Sequence, residues 1–452
     1  MTCPARTAAG VVDLAALGPE FTADPYPVYA ELRQRGPVHR VRLAGGVEAW
    51  LVVRYEEARA ALADPRLTKD WSTAAPALRA FRTGDPERST PLVGGSLLAA
   101  DPPVHTRLRR LVAASFTARR VEALAPRIQE IADGLVDALV RTPRTDAVAA
   151  LAFPLPIAVI CELLGIPELD RERFREWSTT LVTSAGATPA YRAAAAEVNA
   201  YLDELIGAKR ARPHSEDDLL TALLRISDEQ GDRLSTAELR SLAQLLLVAG
   251  HETTVNLIAN SLLALLQHPR QLAALRADGS LLDGAIEETL RHNGPVECAT
   301  WRFAAQPVEI GGVTVPGGGS LVLVALAAAG RDHDRYPAAE DFDITRASGG
   351  QLAFGHGIHY CLGAPLARLE ARIALRTLLE RCPRLSLDND AGELEWRPGL
   401  LVRGPVRLPL RTTGPAASTP TPSPPLPPVA TSPSPSPHGL PPAGERKEQP
   451  LT

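Results

Sequence analysis

Phe354-Gly355-His356-Gly357-Ile358-His359-Tyr360-Cys361-Leu362-Gly363 sets one cysteine between glycines, directly ahead of Ala364-Pro365-Leu366-Ala367-Arg368-Leu369-Glu370. The second stretch reads as the start of a helix, with proline in its first turn, where a missing N–H costs nothing. A thiolate at this place gains from the helix dipole and from free first-turn N–H groups. Gly355, Gly357 and Gly363 let the backbone bend tightly and lie close against something flat. Phe354 is placed to shield the sulfur from water. An anionic sulfur beside a flat partner suggests haem iron held by cysteine thiolate.

A lone cysteine is more often a buried structural one. Here glycines, an aromatic, a histidine and a helix start coincide with it. The pattern Phe, then Gly-x-His-x-Cys-x-Gly, is filled by Phe354, Gly357, His359, Cys361 and Gly363. It resembles the haem-binding signature of the cytochromes P450. That resemblance implies a mainly α fold with minor β, a helical bundle around haem b with small sheets. It makes Cys361 the metal ligand and Phe354, Gly357, His359 and Gly363 cofactor-binding residues.

Three further motifs follow the order of that family. His105 and Arg109 are four apart on an expected helix, so both can reach one anionic group, or simply face solvent. The resemblance makes them haem propionate ligands, joined by Arg302. Arg107, Arg110, Arg119 and Arg120 add a positive cluster suited to an acidic redox partner. Ser235-x-x-Glu238 is a capping box, opening a helix expected to run to about Gln267. Its centre is apolar nearly all round, then reads Ala249-Gly250-His251-Glu252-Thr253-Thr254. Glycine and two threonines weaken a helix, and such a local lapse often marks function. By resemblance Glu252 and Thr253 activate oxygen, Gly250 leaves room for it, and Ala249 lies against the cofactor. Glu288-x-x-Arg291 is a same-face pair that resembles the family's buried structural ion pair. Asp341 stands where that pair's third partner, an arginine, is often found. Arg331, Arg335 and Arg346 are the alternatives.

The chain has 452 residues, 45% hydrophobic and 22% charged, with a formal net charge of −4. That balance gives no case for binding nucleic acid or a membrane surface. Five scattered cysteines with no C-x-x-C argue against a zinc site or a disulfide framework, and a free thiolate calls for a reducing compartment. Lys69, Lys209 and Lys447 are the only lysines. No apolar run approaches ~18 residues, so no membrane span is expected. The start of the chain lacks a signal pattern, and the expected location is the cytoplasm. Trp71–Ala100 shows no sustained period and reads as a long loop. Arg171–Ser184 and Tyr191–Ala211 read as two helices, a movable lid in the resembled family. One domain is expected over residues 1–411. Residues 412–452 are rich in Pro, Ser and Thr, cannot bury enough surface to offset their entropy, and read as a disordered tail.

Leu92, Val93, Leu245, Val248, Val296, Thr300 and Leu401 stand where the family builds its substrate pocket. They are apolar or small, which suits a bulky, mostly apolar ligand. The phrases from Gly250 to Leu257 and from Leu67 to Trp71 resemble the bacterial macrolide and polyketide hydroxylases of secondary metabolism. The expected function is insertion of one atom of O2 into such a molecule. Steroid or terpenoid hydroxylation, a peroxygenase or isomerase, and a non-catalytic haem sensor are the alternatives. No flavin or nicotinamide motif appears. Electrons from NAD(P)H are therefore expected through separate proteins, a ferredoxin and its reductase, serving a monomeric enzyme.

Overall fold

The computed structural model describes residues 10–83, 96–167, 173–174, 176–177, 180–181, 188–211, 218–225, 232–347, 349–388 and 392–412. All but the first residue of the expected tail lies outside them, as do Leu92, Val93 and most of the helix expected over Arg171–Ser184. The described residues are mainly helical, with a smaller β portion.

The helices that position the site are α1 (Tyr26–Arg35), α2 (Tyr55–Ala63), α3 (Val104–Ser115), α4 (Ala125–Val140), α5 (Pro154–Leu164), α6 (Pro189–Ala211), α7 (Thr236–Gln267), α8 (Leu282–Asn293) and α9 (Ala364–Arg381). The stretch read as loop contains a helix, Pro76–Thr83.

α7 spans 32 residues, about 48 Å. Its capping box is formed: Glu238 N donates to Ser235 Oγ at 3.2 Å and Ser235 N donates to Glu238 Oε2 at 2.8 Å. Pro269 follows its last turn and opens the next helix, Pro269–Ala277. α5, α6, α8 and α9 pack around α7, which explains its apolar circumference. By length and apolarity alone α7 could cross a membrane, contrary to the sequence expectation. It is the core helix, and its most apolar window is 67% buried in protein.

A six-stranded sheet forms the second layer. Its strands are β1 (Val12–Asp13), β2 (Val38–Arg42), β3 (Glu48–Val52), β4 (Leu67–Thr68), β5 (Arg302–Ala304) and β6 (Ser320–Val324), in the order β1-β2-β3-β6-β5-β4. β2 and β3 are an antiparallel hairpin, while β3 pairs with β6 in parallel. Successive residues of a strand face opposite sides. Accordingly Leu321 and Leu323 join one apolar cluster, and Val322 and Val324 another. Burial on both faces is why β6 reads as an unbroken apolar run.

The Glu288–Arg291 pair is wholly buried, with contacts of 2.6 and 2.8 Å. Arg291 also donates to the carbonyls of Gly330, Ala339 and Asp341. Arg346 is the third partner, its Nε 3.2 Å from Glu288 Oε1. Asp341 contributes only its backbone carbonyl to the network. Arg331 is committed to Glu340, and Arg335 lies over Tyr55. Removing one partner strands a buried charge, at a cost of about 3–5 kcal/mol. Arg291→Ala is therefore expected to lower the urea midpoint sharply, and Arg346→Ala, at the rim, much less. Equal midpoints for wild type and Arg291→Ala would contradict this account.

Candidate functional site

The cysteine loop is closed by Cys361 N donating to Phe354 O at 2.9 Å. Gly357 has φ +75°, and a Cβ there would come within 3.2 Å of Leu62 O and Ala63 Cα. Only glycine lets the loop lie against the end of α2. Gly363 caps α9, with its Cβ position 3.9 Å from Cys361 Sγ. Arg368 lies 4.4 Å over the Phe354 ring. Among the described cysteines Cys361 alone is exposed; Cys161, Cys298 and Cys382 are buried. That surface does not rescue its sulfur from desolvation. Burial pushes the Cys361 thiol up, opposed by the N–H of Gly363, the charge of Arg109 and the N–H of Ala364. A thiol so placed ionises when a cation neutralises it.

Beside the loop stands a cluster of basic side chains. His105 of α3 is buried, with its ring 4.3 Å from that of His359. Both ring nitrogens of His105, and Nε2 of His359, are buried without a hydrogen-bond partner. Arg109 donates to Tyr360 O at 2.8 Å, and the buried Arg302 of β5 donates to Leu62 O at 3.0 Å. Lys69 is buried too, donating to Thr300 O, Thr300 Oγ1 and Trp301 O. Burial, then the charges of Lys69, His105, Arg302 and Arg109, push His359 down to about 3. Burial brings Arg302 to about 10. Burial and the charge of Arg302 push Lys69 well below its ordinary value. Asp101 is the acid that opposes the shifts of Lys69, Arg302 and His105, and its carboxylate accepts the backbone N–H groups of Lys69 and Asp70. Basic groups in such excess, with unsatisfied ring nitrogens among them, fit an anionic ligand. Sequence reasoning named His105, Arg109, Arg302 and His359 but missed Lys69, since a single lysine ordinarily reads as solvated. Of the arginines expected to form a docking cluster, Arg107 is instead tied to Asp232 and Glu238.

On α7, Leu245, Val248, Ala249 and Thr253 keep accessible surface, while Leu247, His251, Glu252 and Thr254 are buried. This accessible strip lies in the middle of the core helix. Thr253 Oγ1 donates to Ala249 O at 2.9 Å, Thr254 Oγ1 to Gly250 O, and Asn256 Nδ2 to Glu252 O. A Cβ at Gly250 would meet Ile160 Cδ1 at 3.3 Å. The missing side chain of this glycine thus adjoins α5. Glu252 and Thr253, expected to work together, differ in exposure: the acid is 2% exposed and buried beside His251 and Arg397. Val296 and Thr300 are half-buried and Leu401 is exposed. Val296 bridges Val402, and Glu297 N donates to Leu401 O, so these segments adjoin. An apolar groove lined by Leu266, Leu272 and Leu387 includes none of the expected pocket residues.

The family model "Cytochrome P450" matches residues 182–405. Cytochrome P450 monooxygenase PikC of Streptomyces venezuelae is 56% identical over 403 residues, 89% of this chain and 94% of the relative. The chain belongs to the cytochrome P450 family. It is a monooxygenase of that family, and membership implies a haem-thiolate cofactor, which the thiol, the basic cluster and its orphaned nitrogens fit. The P450 is also 46% identical over 398 residues to 6-deoxyerythronolide B hydroxylase of Saccharopolyspora erythraea, covering 87% of this chain and 97% of the relative. The structure of tirandamycin C-bound P450 monooxygenase TamI matches with a TM-score of 0.79 and 43% identity, over 88% of this chain and 99% of that one. Arg109→Ala is expected to lower the haem content of the purified P450 more than Arg119→Ala, which alters an exposed residue of the same basic stretch. Equal haem content in the two variants would argue against an anion-holding cluster.

Proposed function

We propose that this P450 inserts one atom of O2 into a bulky, mostly apolar small molecule of polyketide or macrolide type, in secondary metabolism such as antibiotic biosynthesis. The observation that carries the reading is the accessible strip of Leu245, Val248 and Ala249 midway along α7, ending at Thr253. An apolar wall with one hydroxyl at its end suits a large apolar ligand held by shape. The names of PikC's fellow relatives, 6-deoxyerythronolide B hydroxylase and mycinamicin IV hydroxylase/epoxidase, support the substrate class. Electrons from NAD(P)H would arrive through a ferredoxin and its reductase, in the cytoplasm, with the P450 acting as a monomer.

The cofactor in this reading is haem b, which when bound supplies the oxygen-activating chemistry. Cys361 would hold its iron, favoured by the N–H groups of Gly363 and Ala364 that already stabilise negative sulfur. His105, Arg109, Arg302 and His359 would hold its carboxylates. Lys69 acts at one remove: its bonds to Thr300 and Trp301 fix the strand entering Arg302. Thr253 has one hydroxyl proton and two lone pairs. That proton goes to Ala249 O, so the hydroxyl accepts as it stands and must turn to donate. Glu252 would supply protons to the same place.

Two substitutions test this function. Cys361→Ser is expected to abolish the red-shifted band that thiolate ligation gives the reduced carbonyl complex. Persistence of that band would mean that another residue ligates the iron. Thr253→Ala removes a placed hydroxyl, worth on the order of 3 kcal/mol of barrier or about a hundredfold in rate. NAD(P)H consumption should continue, hydrogen peroxide should rise and oxygenated product should fall. Full coupling with a substrate that carries no nearby hydroxyl would remove Thr253 from the mechanism.

A further inference from the structure

The buried acid of α7 has a neighbour whose chemistry is so far unused. His251 is 0% exposed. Its Nδ1 lies 2.6 Å from the carbonyl oxygen of Leu247. A carbonyl can only accept, so Nδ1 carries a proton. That leaves Nε2 with two states, a bare lone pair in the neutral ring or an N–H in the imidazolium. Nε2 stands 3.5 Å from Glu252 Oε1, long for a hydrogen bond, as contacts that tighten in the working complex often are.

A lone pair facing an ionised carboxylate is repulsive and satisfies neither atom. Taken by itself, the pair is favourable in two forms, and each holds one proton between the ring nitrogen and the carboxyl oxygen. They are imidazolium with carboxylate, and neutral imidazole with carboxylic acid. Of the other elements around the pair, the 396–405 hairpin brings Arg397, with Nη1 3.8 Å from Glu252 Oε2. The segment before α5 brings the Phe153 ring, 5.8 Å from His251 and edge-on. Among the described residues, His251 and Arg397 are the charged groups that act on Glu252. Burial pushes the Glu252 carboxyl up, but the bond and charge of His251 and the charge of Arg397 bring it below its ordinary value. Glu252 is thereby favoured as the carboxylate.

We infer that His251 and Glu252 share one proton, and that His251 is the positioning residue that sets the charge of Glu252 and passes it that proton. The inference rests on the reading of Glu252 as the acid serving the oxygen site. In the transfer the Nε2–H bond of His251 breaks and an O–H bond forms on Glu252; both side chains become neutral and no electrons move. Once Glu252 gives that proton to the site, a carboxylate faces a bare Nε2. This repulsive state takes one proton from solvent water and restores the imidazolium. Arg397 biases the cycle toward the ionised acid.

Difference infrared spectra of the holoenzyme at neutral pH test the pair directly. The wild type is expected to show an ionised Glu252, and His251→Gln a protonated-carboxyl band that disappears in the double variant with Glu252→Gln. The alkaline limb of product formation should move to lower pH in His251→Gln by about one unit, a tenfold change in proton occupancy. An ionised Glu252 in His251→Gln with an unmoved limb would overturn the inference. Should that variant fail to fold, nitrogen-15 histidine spectra of the wild-type holoenzyme decide the matter. A proton on Nε2 supports the pair, and a bare Nε2 beside ionised Glu252 overturns it. Wild-type product rates in Glu252→Gln would sink the acid's role in oxygenation while leaving the shared proton to stand on the spectra.

Discussion

A helix that is apolar on all sides is stable only where other segments cover it. α7 imposes that requirement on the chain: α5, α6, α8 and α9 are arranged by the need to cover it. Midway along it, a strip from Leu245 to Thr253 keeps accessible surface. The threonines and asparagine that follow return their side chains to carbonyls one turn back. The donor groups of these side chains are satisfied inside the helix in this way, while Asn256 Oδ1 is buried without a hydrogen-bond partner.

Two regions carry charge into this interior. At the first, the backbone does the work: Gly357 seats the loop on α2, and the start of α9 directs N–H groups at the Cys361 sulfur. At the second, side chains from α3, β5 and the segment after β4 converge although they are distant in sequence. Lys69 meets Thr300 across 231 positions. The second region depends on the sheet holding β4 beside β5.

Elements with local signals were legible in the sequence to within a residue or two. The capping box and Pro269 bound α7, and Pro365 marks the start of α9. Motif residues read by resemblance were legible as sets, so His105, Arg302 and His359 fall in one neighbourhood. Features decided by tertiary contact were not legible. Nothing near Lys69 announces burial, nothing in Gly250 says that its free side faces Ile160, and Arg346 was one arginine of three until its guanidinium met Glu288. The helix over Pro76–Thr83 escaped because it is short, and short helices owe their stability to packing.

The basic cluster has a consequence for how the protein is made. Lys69, His105 and Arg302 are buried beside the half-buried Arg109 and His359, a basic cluster suited to an anionic partner. A ligand that binds the folded form alone stabilises it by mass action. Porphyrin supply then becomes a term in the folding equilibrium. A host cell that synthesises polypeptide faster than porphyrin accumulates chains that open more often, and its proteases remove them. The yield of intact protein is set by the scarcer of the two.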